Sequence, residues 1–228
     1  MNTNDYSEWK MTLPEHLILH QMQLGPMANF LYFLGDLRTK EIAVIDPAWD
    51  VDYLCEKAKK HGYTIKSIFL THGHGDHVNG LKEILSRHNV PAYISKHEAP
   101  FLKPKHKNIV EVESNQVLKL GGLEFKCLLT PGHTPGCQSF LHQNVMISGD
   151  AMFIDGCGRC DLPGGDPKIM YNTLYNVIMK LPDDTMIFPG HDYGPTPFAT
   201  LKQQKETNPY LTCRSEEEFL VHRMGFSY

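Results

Sequence analysis

Residues 71–77 read THGHGDH, and His72, His74, Asp76 and His77 are all types that bind metal ions. Imidazoles with one carboxylate form a borderline-hard donor set that suits zinc, iron or manganese. Gly73 and Gly75 separate the donors, so the backbone can turn tightly and aim them at one point. A surface cluster of histidines is the plain alternative. The H-x-H-x-D-H spacing directly behind the apolar run SIFL (67–70) argues against it, because chance seldom produces that pattern. Three more donors follow apolar runs: His133 in TPGHTPG, Asp150 in ISGDAMF and His191 in FPGHDYG. Each alone reads as an ordinary loop residue, but loops behind strands are where a sheet presents functional groups. Together the five histidines and two aspartates suffice for two metal ions about 3.5–4 Å apart, with one carboxylate bridging.

Such donors need a scaffold of strands that ends along one edge. LILHQMQ (17–23), FLYFLG (30–35) and EIAVIDP (41–47) are apolar runs broken by Gly, Pro and Asp, and read as three strands. Phe30, Tyr32 and Phe33 read as core residues, at least two of the three, or as the wall of a substrate pocket. Asp50 caps a helix whose face is Val51, Leu54, Cys55 and Ala58, with Gly62 as its stop. SIFL is a short buried strand, and Val78, Leu81, Ile84 and Leu85 give the next helix its apolar face. AYIS, VLKL, LEFKCLLT, QSFLH and VMIS then run as short strands to about residue 148. The strongest helix is 167–181, capped by Asp166 and started by Pro167. Its predicted face is Ile169, Met170, Thr173, Leu174, Val177, Ile178 and Leu181. TMIFPG (185–190) is the last strand, and helices near 198–206 and 215–223 follow. Two face-to-face sheets with helices outside would bury all these faces; a single-sheet α/β domain fits the composition as well.

Of the 228 residues, 41% are apolar and 21% charged, which excludes a disordered chain. With 22 basic against 26 acidic residues there is no positive excess to neutralise phosphates, so no nucleic-acid partner is expected. The basic stretch KPKHK (103–107) is too short to change that. No run approaches the length of a membrane span. The start, MNTNDYSEWK, lacks the features of a secretory signal, so a cytoplasmic location is expected, without disulfides among the six cysteines. Cys157 and Cys160 form a C-x-x-C pair, but no second pair follows at zinc-ribbon spacing, and both read as buried loop cysteines. The eight histidines outside the motif set, such as His20, His88 and His142, read as surface or structural residues.

H-x-H-x-D-H, then a spaced His, a Gly-Asp and a Gly-His, resembles the metallo-β-lactamase superfamily over about residues 29–211. The resemblance implies an α+β fold, a four-layer αββα sandwich with metals at one edge of the two sheets. It further implies one domain over 1–228 with a short C-terminal helical tail. Carried over, His72, His74 and His133 would bind a first metal, Asp76, His77 and His191 a second, and Asp150 would bridge them. Two zinc ions per chain are the expected cofactors. GDAMFIDGCGR and the segment from GGDPKIM to FPGHDYG look like the glyoxalase II branch, which hydrolyses hydroxyacyl-glutathione thioesters. The implied reaction is thioester hydrolysis by a metal-bound hydroxide, with Asp76 as the catalytic residue that orients it. No G-x-S-x-G elbow competes as nucleophile. Arg159 would clamp a carboxylate or phosphate on the thiol carrier, against a reading as a solvated loop charge. Tyr193 reads as a buried packing residue, with a hydrogen bond to substrate as its alternative role.

Two features depart from glyoxalase II. The stretch after His191 is too short for that family's glutathione-binding domain, and Asp161 stands where a glutathione-contacting Tyr is usual. The tail T-x-x-x-x-x-E-T-N-P-Y-L (200–211) is instead similar to persulfide dioxygenases. There His72, His133 and Asp150 would hold one Fe(II) and the substrate would be glutathione persulfide. A lactonase or other ester hydrolase of the superfamily is a further alternative. The expected partner is a small thioester or thiol-derived molecule.

Overall fold

The computed structural model describes residues 13–225, so the polar N-terminal decapeptide lies outside the described residues. Sheet one runs β1 (Leu17–Leu24), β2 (Asn29–Asp36), β3 (Glu41–Ile45), β4 (Thr64–Phe69), β5 (Ala92–Ser95) and β6 (Ile109–Val112), in that spatial order. Its first two pairings are antiparallel and the other three parallel. Sheet two holds β7 (Val117–Leu120), β8 (Leu123–Leu129), β9 (Gln138–His142), β10 (Val145–Gly149), β11 (Met186–Pro189) and the two-residue β12 (Ala199–Thr200). They lie in the order β12-β11-β10-β9-β8-β7, with β10 and β11 parallel.

Both faces of each sheet are covered, and the period of two along the strands sorts the side chains. In β2, Leu31 and Phe33 face one core while Phe30, Tyr32 and Leu34 face another. The first core lies between sheet one and the helices α1 (Val51–Lys60) and α3 (Leu81–Arg87). The second is the inter-sheet layer, where Phe69 stacks on Phe140 at 4.9 Å. The third lies between sheet two and the helices α5 (Pro167–Asn176) and α7 (Glu216–Met224). This is the αββα sandwich, and it resolves the choice against a single sheet. Truncating Phe33, fully buried in the first core, is expected to cost about 3–5 kcal/mol.

Several local readings are corrected. The helix after the motif is two pieces, α2 (Gly75–Val78) and α3, separated at Asn79 and Gly80. A Cβ at Gly80 would come within 2.3 Å of the Pro47 carbonyl, so the glycine allows the close approach of that loop. The helix expected over 167–181 ends at Asn176, and a 3-10 turn (Ile178–Lys180) follows the distorted Val177. Asp166 caps it as expected, accepting from the Lys168 and Ile169 amides. Ile169 itself is 43% exposed, because the buried stripe is Met170, Thr173, Leu174 and Ile178. The short α4 (Ala99–Leu102) and β6 had no counterpart in the sequence reading. Near the C-terminal end, α6 (Leu201–Thr207) starts at a Thr200–Gln203 capping box.

Candidate metal centre

The carboxyl ends of β3, β4, β8, β10 and β11 meet at one edge of the sandwich. The segment leaving β4 carries Thr71 to His77, and Asp46, just past β3, anchors it. Asp46 accepts from the Thr71 amide at 2.8 Å and from its hydroxyl at 2.6 Å. Across the edge, the loop after β8 brings His133, the end of β10 brings Asp150 and the end of β11 brings His191. The seven residues expected as donors are thus all gathered at one place, from both sheets.

Their nitrogens and oxygens crowd together. His74 Nδ1 lies 3.1 Å from His72 Nε2 and 2.9 Å from His133 Nε2. His77 Nε2 lies 3.2 Å from His191 Nε2, and Asp76 Oδ2 is 3.5 and 3.3 Å from those two nitrogens. Asp150 sits between the groups: Oδ1 is 3.4 Å from His77 Nε2, while Oδ2 is 3.5 Å from His133 Nε2 and 3.4 Å from His191 Nε2. Three triplets keep their donor atoms within 4.8 Å of one another: His72–His74–His133, His72–His77–Asp150 and Asp76–His77–His191. None of the other eight histidines joins a triplet among the described residues.

The hydrogen bonds around the cluster decide which nitrogens face inward. His133 Nδ1 donates to the Arg159 carbonyl at 2.7 Å, and His191 Nδ1 to the Met27 carbonyl at 2.9 Å. His77 Nδ1 donates to Asp46 Oδ2 at 2.9 Å. Thr71 gives its hydroxyl proton to Asp46, so it accepts from His72 Nδ1 at 3.0 Å. With the outer nitrogens engaged in these bonds, the four Nε2 atoms point into the cluster. Lone pairs at such separations repel unless a proton or a cation lies among them. Asp150 Oδ1, buried, has no hydrogen-bond donor at all. A divalent cation bound by imidazole and carboxylate fits this donor set.

Titration preferences point the same way. Burial opposes the charge of Asp150, but His77 and the hydrogen bond from His191 outweigh it and hold the carboxyl well below the usual range. Asp76 is likewise held low against its burial, by His191, His77 and the Asn29 amide. Burial would lower His191, yet Asp150 and Asp76 raise it to about 10. His72, buried beside His77, is pushed well below the ordinary imidazole value. The carboxylates therefore draw positive charge to the His77–His191 side, while the His72 side stays neutral.

A cleft of about 370 Å³ opens above the donors, and Arg159, Tyr193 and Arg223 line it. Tyr193 is 57% exposed, which corrects its reading as a buried packing residue. Its ring stacks on His191 at 4.6 Å, and its hydroxyl donates to the Met27 carbonyl at 3.1 Å. The Arg159 fork is filled by Asp161, with bonds of 2.8 and 2.6 Å. Cys157 also lines the cleft, and burial pushes its thiol well up; Cys160 beside it is raised to about 11 for the same cause.

Sequence reasoning missed Asn29, Asp46 and Arg223. Asn29, at the start of β2, donates to Asp76 Oδ2 at 3.1 Å and to the Asp76 carbonyl at 3.0 Å. Asp46 had the strand-then-acid signal of Asp150, within EIAVIDP. Arg223, on α7, donates to the Gly158 carbonyl at 3.1 Å and reaches the cleft from far along the chain, so no local pattern marks it.

The chain belongs to the metallo-β-lactamase superfamily, whose family model matches residues 24–191. A probable polyketide biosynthesis zinc-dependent hydrolase, PksB, of Bacillus subtilis (strain 168) is 28% identical over 86% of this chain and 87% of its own. The mitochondrial persulfide dioxygenase ETHE1 of Homo sapiens is 31% identical over 88% of this chain and 78% of its own. The crystal structure of ETHE1 from Myxococcus xanthus matches with a TM-score of 0.83 at 29% identity, over 92% of each chain. No helix among the described residues is long and apolar enough to cross a membrane.

Proposed function

We propose that this protein is a dinuclear metallohydrolase that cleaves a thioester, with zinc as the metal. One observation carries the reading: Asp150 lies between two complete donor triplets, its Oδ2 beside both His133 of one and His191 of the other and its Oδ1 beside His77. His72, His74 and His133 would hold one ion, and Asp76, His77 and His191 the other, with Asp150 shared. When bound, such ions lower the pKa of a coordinated water and polarise a carbonyl. Likeness to a relative named as a zinc-dependent hydrolase supports the reaction class.

The chain's own residues do the rest. Asp76, fixed by Asn29 at Oδ2, orients the attacking water by accepting a hydrogen bond from it at its other oxygen. The thioester's sulfur leaves as a thiolate, a good leaving group that needs no acid on the protein. Cys157 is no competing nucleophile, since burial keeps its thiol protonated. Arg223 holds an anionic part of the thiol carrier at the cleft, Arg159, whose fork Asp161 fills, contributes less, and Tyr193 closes its side over His191.

The likeness to ETHE1 proteins supports a second reading, a persulfide dioxygenase with one Fe(II) held by His72, His133 and Asp150. One experiment separates the two. Protein purified without added metal is analysed for zinc and iron, then assayed on glutathione, coenzyme A and carrier-protein thioesters and for O₂ uptake with glutathione persulfide. Near two zinc ions per chain with thioester turnover is the expected result. One iron with O₂ uptake and no thioester turnover replaces the first reading by the second.

A further inference from the structure

We propose that Glu98 is a positioning residue that sets the distance between the two loops carrying His72, His74 and His133. The proposal rests on reading those histidines as metal ligands.

Glu98 lies between β5 and α4, and only 4% of it is exposed. Its Oε2 accepts from the Gly73 amide at 3.0 Å, between His72 and His74. Its Oε1 accepts from the Gly136 amide at 2.9 Å, in the loop that carries His133. Gly73 follows β4 of sheet one and Gly136 precedes β9 of sheet two. One buried carboxylate thus ties ligand loops from both sheets.

Burying a carboxylate is costly unless hydrogen bonds compensate it. No salt bridge among the described residues engages Glu98, so the two amides are its compensation. Both bonds are charge-assisted and therefore strong and directional. A glutamine could not replace it, because its NH₂ would face one of the N–H donors. Glu98 is also the residue ahead of α4, yet its side chain makes no capping bond there. Its carboxylate serves the neighbouring loops instead.

Both loops are built around it. A Cβ at Gly136 would lie 2.6 Å from Glu98 Cγ and 2.9 Å from its backbone nitrogen. A Cβ at Gly73 would lie 2.9 Å from Oε2. The consequence is metric: the separation of these loops determines the 2.9 Å approach of His133 Nε2 to His74 Nδ1. The Asp76–His77–His191 triplet is supported by Asn29 and Asp46 and, among the described residues, makes no bond to Glu98.

The test uses the full-length protein stripped of metal, with Glu98→Gln, which removes the charge at constant size, and Glu98→Asp, which keeps the charge but cannot span both amides. Each is titrated with Zn²⁺ against a competing chelator, and its melting without metal is recorded. In Glu98→Gln one of the two positions is expected to weaken by about 10- to 100-fold, as for other residues that orient ligands, while the other holds. The weakened position is the one that His133→Ala removes, and adding Glu98→Gln to His133→Ala changes nothing further. If the Gln variant fails to fold, Glu98→Asp carries the test in the same direction. Wild-type affinities at both positions in a folded variant overturn the proposal. So does parallel weakening of both positions with a lowered melting temperature, the mark of a merely structural role. A wild-type protein that binds no metal overturns the metal reading itself, a distinguishable failure.

Discussion

The two donor triplets sit side by side at the same edge, yet they are built differently. His72–His74–His133 is all imidazole, and Asp150 is the nearest carboxylate shared with it. Asp76–His77–His191 contains a carboxylate, and Asp46 lies behind His77. Its sheet-crossing support is backbone: Phe30 N donates to Gly190 O and Asp192 N to Ala28 O, both at 2.8 Å, beside the Asn29–His191 bridge. On the first side the Gln138 amide donates to Thr71 O at 2.9 Å, and farther out the link passes through the Glu98 side chain. The second side thus pairs carboxylates with its imidazoles and is joined by several backbone bonds, whereas the first is all imidazole and adds the Glu98 side chain to one backbone bond. Changes to shared, side-specific and peripheral residues should therefore have unequal effects.

Asp150→Asn should have the largest effect, because it takes the shared charge from both sides. Thioester hydrolysis should fall by about 10²- to 10³-fold or more, and metal content should drop on both sides. An Asn variant that keeps two ions and full turnover would erase the distinction between a bridging and a peripheral carboxylate.

Acidification should separate the sides next. His191 is raised to about 10, so near neutral pH the metal must displace its proton to bind. His77 is raised too, in spite of its burial, by Asp150 and Asp46. His72 and His74 are lowered by burial and by neighbouring imidazoles, so they offer free lone pairs at neutral pH. Affinity on the second side should fall by about tenfold per pH unit per displaced proton as pH drops below 10, while His72 and His74 need give up no proton until pH passes below their lowered values. Calorimetric titrations in buffers of different ionisation enthalpy, between pH 6 and 9, check this through proton release. Equal release from both sides would contradict the charge asymmetry.

Asn29→Ala should act on the second side alone, lowering kcat about tenfold with little change in KM, since it frees the orienting carboxylate Asp76. The smallest effects belong to the cleft. Arg223→Met should raise KM for thioesters of anionic carriers by up to about tenfold and leave a neutral thioester unaffected. Arg159→Met should matter less, because Asp161 already occupies its fork. Steady-state kinetics on paired anionic and neutral substrates measures both; a larger loss at Arg159 would reverse the ranking.

The donors themselves were legible in the sequence. THGHGDH concentrates four of them behind one strand, and His133, Asp150 and His191 each follow an apolar run with a small residue between. Their supports were far less so. Glu98 lies near no motif, and its role exists only because β5 ends beside two loops from different sheets. Arg223 reaches the cleft only once α7 packs against α5. Strands with long alternating runs were read within about a residue or two at each end. By contrast α4 and β6, four residues each, were not read, although the equally short β5 and β7 were. The break of the long helix at Val177 was hidden because its apolar stripe continues through Ile178, which the 3-10 turn buries equally well.

The central claim is a two-ion centre shared through Asp150. Native mass spectrometry of metal-free protein titrated with Zn²⁺, with thioester hydrolysis measured at each step, tests it most directly. Species with one and then two bound ions are expected, with turnover that follows the two-ion species. Saturation at one ion with full turnover would contradict it.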